Sequence, residues 1–362
     1  MDTVLEPHEL QEPDGAAVEA FAGRAFGDVA GTMATVMCAV GDKLGLFTAL
    51  DAGGPSTAAE LAARADVDER YALEWLRGLA SAGYVEQAPD GRFALPPAHA
   101  AVLAREGGVM FLGGGYQELA GMLPLLGRLV EAFRHGGGIP QSAYDDDAYD
   151  GMARLTSAWF DHHLLGRWLP LLPDLEARLD VGASWADVGC GAGRAVIRLA
   201  EAYPRSTFVG YDAFPEQVER ARRAAAAAGV GDRVRFDTVD GAHGIRGTYD
   251  VVSTFDVVHD AVDPGALVAG IRRALNDGGT YLLLEMNCAD DPAANVGPLA
   301  TVFYGFSLLY CMTTSLAHGG AGLGTCGCPA PVVRRLGEAA GFGSVRELPI
   351  DDVFNRLYEL RV

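Results

Sequence analysis

The segment Trp185-Ala186-Asp187-Val188-Gly189-Cys190-Gly191-Ala192-Gly193-Arg194, with a helical pattern through Ala202, constrains this chain more than any other stretch. An apolar strand ends in a glycine-rich turn and a helix begins. Glycines at such a turn let the backbone approach a ligand closely and take dihedrals that side chains disfavour. Nineteen residues past Gly193, Phe208 to Asp212 reads as a second strand ending in a carboxylate, placed to accept hydrogen bonds from two ribose hydroxyls. A third strand over Val234 to Thr238 leads to Asp240 and Gly241. Together these signals mark a nucleoside-containing cofactor. The spacing is G-x-G-x-G with Asp187 ahead of it, not the G-x-G-x-x-G whose open helix N-terminus receives a pyrophosphate.

An acid at position 187 repels pyrophosphate and suits an ammonium group. The segment resembles motif I of the class I S-adenosylmethionine-dependent methyltransferases. That resemblance implies S-adenosylmethionine as cofactor and S-adenosylhomocysteine as product. It implies a cofactor site made of Asp187, Gly189, Gly191, Gly193, Asp212, Ala213, Asp240, Gly241 and Phe255, with Asp240 against the adenine. The expected fold is α/β, a seven-stranded doubly wound, Rossmann-like sheet closed by an antiparallel hairpin over Ser344–Leu348 and Val353–Leu360.

After the strand Tyr249–Thr254 comes Phe255-Asp256-Val257-Val258-His259-Asp260, at the carboxyl end of a central strand where strand order reverses and ligands bind. An imidazole with a pKa near ~6.5 takes a proton close to neutral pH, so His259 is a candidate base; it is equally a residue that could cap the following helix. Glu285, ending the strand Tyr281–Glu285, orients His259 or the substrate, or only terminates the strand. The His-Asp pair, that later strand and the N-terminal pattern described next resemble the plant-type O-methyltransferases and a bacterial small-molecule branch of them. The resemblance implies His259 as general base with Asp260 beside it. The chain departs from it at Ala261, where those enzymes usually have tryptophan. Trp159, Phe160, His163, Phe303, Tyr304 and Phe306 are candidate walls of an acceptor pocket, with core packing as the alternative for the aromatic stretch from Phe303 to His318.

Towards the N-terminus, Phe26, Val29, Met33, Val36, Met37, Val40 and Leu44 recur at helical spacing. A capping box at Thr57–Glu60, a second helix through Leu79 and a hairpin around Pro89-Asp90-Gly91 then describe an α-helical winged-helix unit. Between Pro55 and Leu95 there are four Arg and no Lys against seven acids, with Asp66, Asp68 and Glu69 opening the second helix. Such a face repels phosphates, as does the chain's net charge of −20. Nucleic acid is therefore not the expected partner; the winged helix reads as a homodimer contact and a small molecule as the substrate. The expected organisation is a flexible acidic arm over 1–20, the winged-helix unit over 21–105, a helical connector or substrate chamber over 106–180, and the cofactor domain over 181–362. Gly113-Gly114-Gly115 reads as a helix break, Asp145-Asp146-Asp147 as a solvated loop, and Gly319–Cys328 as a flexible loop; no metal site is expected. Six scattered cysteines, the absence of a secretory pattern and the lack of a long apolar run point to a cytoplasmic protein with no membrane span. The functional expectation is methyl transfer to a hydroxyl or phenol in secondary metabolism. The alternatives are C- or N-methylation, a non-methylating reaction assisted by the cofactor, or a transcriptional regulator, which would need a basic face.

Overall fold

The computed structural model describes residues 14–362 and divides the chain after Glu106. Of the expected acidic arm, Met1–Pro13 lie outside the described residues, and Gly15–Ala20 already belong to the first helix. The first unit holds α1 (Gly15–Lys43), α2 (Leu46–Gly53), α3 (Ala58–Ala65), α4 (Glu69–Ser81), a hairpin of β1 (Glu86–Gln87) and β2 (Phe93–Ala94), and α5 (Pro97–Leu103). The Thr57 side chain accepts from Glu60 N while Glu60 accepts from Thr57 N, so the capping box read in the sequence is formed. Asp68 spends its carboxylate on the first amides of α4, those of Arg70 and Tyr71. One face of α1 (Ala34, Cys38, Gly41) is buried, with the Trp75 indole donating to Met37 O at 2.8 Å. The opposite stripe, Phe26, Val29, Met33, Val36 and Val40, is exposed, Phe26 at 75%.

In the second unit α6 (Gly113–Met122), α7 (Leu126–His135), α8 (Asp146–Ala158) and a π-helical stretch over Trp159–Trp168 precede α9 (Pro173–Val181). Then come β3 (Ser184–Val188), α10 (Arg194–Ala202), β4 (Thr207–Asp212), α11 (Pro215–Ala227), β5 (Val234–Thr238), β6 (Tyr249–Phe255), α12 (Pro264–Arg273) and β7 (Leu275–Met286). The chain closes with α13 (Pro298–Phe306), a π-helical turn at Ser307–Cys311, α14 (Met312–Ala317), α15 (Ala330–Ala339), β8 (Ser344–Leu348) and β9 (Asn355–Arg361). The seven strands are ordered β5-β4-β3-β6-β7-β9-β8. All neighbours through β7 are parallel, and β9 runs antiparallel between β7 and β8. Order therefore reverses between β3 and β6, where open sheets bind their ligands.

Three local expectations change. The glycines at 113–115 do not break a helix; they open α6 and let it lie directly on α8. A Cβ on Gly114 would stand 2.4 Å from Leu155 N, and one on Gly151 would stand 2.2 Å from Glu118 N. The three aspartates are not a loop but a helix start: Asp145 caps α8 by accepting from Ala148 N, and Arg220 pairs with Asp146 and Asp150. The helical run Pro298–Ala317 is long and apolar enough to cross a membrane, contrary to the sequence expectation. Phe303, Ser307, Tyr310 and Thr313–Ser315 in it are buried in this unit, with the Thr313 hydroxyl accepting from Ile139 N, which is how a core helix behaves.

Adding a side chain where two helix backbones touch forces them apart, at a typical cost of about 1–3 kcal/mol. Gly151→Ala should lower the denaturant midpoint accordingly. Gly127→Ala, where nothing lies within 4 Å, should leave it unchanged or slightly raised; equal midpoints for both variants would refute the close α6–α8 packing.

Candidate active site

The glycine turn after β3 is built by the tip of β4. Tyr211 O accepts from Gly189 N and Cys190 N at 2.8 and 2.9 Å, and the Asp212 carboxylate accepts from Gly191 N and Phe214 N, both at 2.9 Å. Gly189, Gly191 and Gly193 have φ of 74, 51 and 77°, a region that favours glycine. At Gly191 the space a side chain would take is open, which leaves backbone facing the cleft. Asp187 ends β3, buried, and accepts from Ser253 Oγ at 2.7 Å. Burial pushes its pKa up to about 7, against the lowering pull of that hydrogen bond. Burial likewise raises Asp212, opposed by the amides it accepts from. Ala213 is exposed beside Asp212.

Asp240 and Gly241 fit their expected roles less directly. The Asp240 carboxylate accepts from Ala242 N at 2.9 Å and pairs with His243 Nδ1 at 2.8 Å, so an adenine amine would compete with His243 for it. Gly241 is buried because a Cβ there would meet Val188 and Leu267; its smallness serves packing. Phe255, at the end of β6, has its ring 5.3 Å from Phe160 and stacks 6.2 Å from Trp168.

His259 and Glu285 form a buried pair. His259 Nδ1 lies 2.7 Å from Glu285 Oε2, and Glu285 Oε1 accepts from Val258 N and His259 N at 2.9 and 3.2 Å. Both side chains are buried. With Nδ1 committed to the carboxylate, Nε2 is the nitrogen left for proton exchange. Burial pulls the imidazole pKa down, but the Glu285 carboxylate, with Cys311 nearby, more than offsets this and holds it well above the ordinary value. Asp260 makes no hydrogen bond to His259; burial raises it to about 7. Asp256, His259 and Glu285 bring donor atoms within 4.8 Å of one another, the one such group among the described residues. Glu285 uses both oxygens on the loop it orients, on the amides of Val258 and His259 and on the His259 ring.

The six candidate wall residues divide. Trp159 and Phe160 are half-buried against the sheet's core. His163 is buried, 3.4 Å from Asp352. Phe303 is buried, Tyr304 is 42% exposed, and Phe306 packs with Tyr310 and Met122. Two residues were missed in the sequence. Asp256 has φ +57°, an unpartnered Oδ1 and a pKa raised by burial to about 8; a non-glycine in that conformation signals a functional constraint, but nothing in Phe-Asp-Val announces it. Cys311, reached through the π-turn, carries no local signal either.

Comparison with known proteins agrees with this geometry. Residues 186–281 match the family described as "Methyltransferase domain", and residues 32–105 match "Rv2258c-like winged HTH domain". The chain is 31% identical over 147 residues to the ubiquinone biosynthesis O-methyltransferase of Xanthomonas oryzae pv. oryzae (strain PXO99A), covering 38% of this chain and 60% of that one. It is 30% identical over 184 residues to the 27-O-demethylrifamycin SV methyltransferase of Amycolatopsis mediterranei (strain S699), covering 50% of this chain and 60% of that one. A solved structure described as "PigF with SAH" superposes with a TM-score of 0.72 at 22% identity, covering 94% of this chain and 99% of the other. The fold and the glycine turn define a class I methyltransferase domain. A winged-helix unit precedes that domain, and the chain spans about 60% of the length of the curated relatives it matches.

The His259–Glu285 pair has a direct spectroscopic signature. In ¹⁵N-histidine-labelled protein, the His259 ring should titrate at a pH above that of an ordinary imidazole, and Glu285→Gln should move that midpoint down, because the anion favouring the imidazolium is removed. An unmoved midpoint would refute the pairing.

Proposed function

We propose that the protein transfers a methyl group from S-adenosylmethionine to a hydroxyl of a small organic acceptor in secondary metabolism, with His259 as general base. The observation that carries this reading is the buried Glu285–His259 pair beside the glycine turn. The donor supplies an electrophilic methyl carbon and leaves as S-adenosylhomocysteine. What supports this donor is that Gly191 presents open backbone and that Asp212, held by two amides at the tip of β4, keeps lone pairs that ribose hydroxyls can use. Asp187 stands where an ammonium would be met, and Asp240 reaches an adenine amine by releasing His243.

Glu285 holds Nδ1–H, so Nε2 receives the acceptor's hydroxyl proton as oxygen attacks carbon. Because the imidazole is held well above its ordinary pKa, its neutral, base-competent form grows with rising pH, and turnover rises with it. Most of the acceleration in an in-line displacement comes from alignment. Phe160, Trp168 and Phe255 supply a rigid aromatic wall for that purpose. The relatives' names support O-transfer: one acts in ubiquinone biosynthesis and one on 27-O-demethylrifamycin SV.

The exposed stripe of α1 from Phe26 to Val40 supports homodimerisation through the first unit, since apolar patches of this kind are covered in stable proteins. The carboxylates at the start of α4 favour a protein contact there over nucleic acid. We read the enzyme as cytoplasmic.

His259→Ala should lower methyl transfer by about 10²–10⁴-fold and leave the calorimetric affinity for S-adenosylhomocysteine nearly intact. Parallel loss of both would count against the base assignment. Asp212→Ala should instead weaken binding of S-adenosylhomocysteine itself, and unchanged affinity would remove Asp212 from the site.

A further inference from the structure

The fold fixes the backbone of Asp256 and leaves its carboxyl unused. Its amide donates to Leu284 O at 3.0 Å, which carries the pairing of β6 with β7 one residue past the strand. Its φ of 57° lies in the left-handed region, which a side chain occupies only at a cost. Oδ1 is buried and has no hydrogen-bond partner, and a buried acceptor without a donor is a second cost at the same residue. Glu285, Asp260 and Asp352 all oppose a negative charge there, and only His259 favours it. Packing explains none of this.

The position of the carboxyl gives it a use. Donor atoms of Asp256, His259 and Glu285 lie within 4.8 Å of one another, and Asp256 is the most accessible of the three. Glu285 is committed to the Nδ1 side of the ring and to two amides, whereas Asp256 is committed to nothing. The residue before it, Phe255, belongs to the aromatic wall with Phe160 and Trp168. A flat molecule with polar atoms on two neighbouring carbons can therefore place one at the imidazole and the other at the carboxyl. We propose that Asp256 is a specificity-determining residue: its unpaired oxygen accepts from a second donor, hydroxyl or amine, beside the acceptor's reacting hydroxyl. A site built to hydrogen-bond a substrate group rejects the analogue that lacks it, because the buried partner is then left unpaired.

The inference rests on His259 being the base and deepens that reading, yet its test needs no turnover. In full-length protein saturated with S-adenosylhomocysteine, calorimetric titration with phenol, catechol and 2-aminophenol compares one donor with two. Catechol or 2-aminophenol should bind about 10-fold more tightly than phenol, and the better of the two tells hydroxyl from amine. Asp256→Gly suits the left-handed backbone and removes the carboxyl, so it should erase the difference while affinity for S-adenosylhomocysteine stays unchanged. Asp256→Asn also tolerates that conformation and keeps an acceptor oxygen, so it should recover much of the difference. Without ligand, the denaturant midpoint of Asp256→Gly should equal or exceed that of the wild type, because strain and orphaned oxygen both go. Equal affinities for the three compounds, binding of none, or a preference that survives Asp256→Gly would overturn the proposal. A lowered midpoint, or lost affinity for S-adenosylhomocysteine, would overturn it as well, by giving Asp256 to the fold or to the donor. If no acceptor is ever methylated, the O-methyl reading fails while the binding preference stands or falls separately.

Discussion

A carboxylate with 0% exposure would be a heavy penalty in most proteins, and here the geometry of the catalytic corner is arranged around one, Glu285. A buried anion is tolerable only when its lone pairs are used. Glu285 accepts two consecutive backbone amides, from Val258 and His259, and the imidazole N–H of His259. Those bonds fasten the loop after β6 to the tip of β7 and fix which nitrogen of His259 faces outward. The same residue that closes the fold at this corner also selects the tautomer. Asp212 does the equivalent work one strand pair away, where its two oxygens join the turn after β3 to the tip of β4.

The helices over the sheet contribute through departures from regular α-geometry. Trp159–Trp168 and Ser307–Cys311 are both π-helical. The first brings Phe160 and Trp168 onto Phe255 and sends Asp161 to Arg194 and Arg198 of α10, the helix that follows the glycine turn. The second turns the chain between α13 and α14 and brings Cys311 to Thr325. An extra residue per turn costs hydrogen-bond quality, and both stretches are held by contacts beyond their own helix, Asp161 to Arg194 in the first and Tyr144 Oη to Leu309 O and Thr325 N to Ser307 Oγ in the second.

How much of this the sequence carried depends on the range of the interaction. The turn at Gly189–Gly193 and the positions of Asp212 and His259 at and after strand ends were legible because they follow from spacing along consecutive strands, which any chain of this topology repeats. The capping box at Thr57 and the hairpin at Pro89–Gly91 were legible for the same local reason. Gly113–Gly115 were misread as a break because their meaning lies in Leu155 and Gly151, more than 30 residues away. The aspartates at 145–147 were misread because Arg220, which pairs with Asp146 and with Asp150 one turn on, comes from α11. Asp256 stands out only through the burial and neighbours that the fold supplies, and the contact of Asp240 with His243, three residues on, was not read from the sequence.

The electrostatics of the cleft bear on the order of events in the proposed reaction. Asp187, Asp212, Asp256 and Asp260 all have pKa values raised by burial, and the proximity of further acids adds to it at 187, 256 and 260. His259 among them is pushed the other way by Glu285, toward the imidazolium. A cationic donor entering such a cleft stabilises ionised carboxylates and destabilises imidazolium, so both kinds of group shed protons as it arrives. The acids thereby become better partners for the cation, and His259 moves toward the neutral form that a base requires. Donor binding first, followed by acceptor deprotonation, is the sequence that this charge arrangement favours, because the base is readied by the cation that is to be attacked.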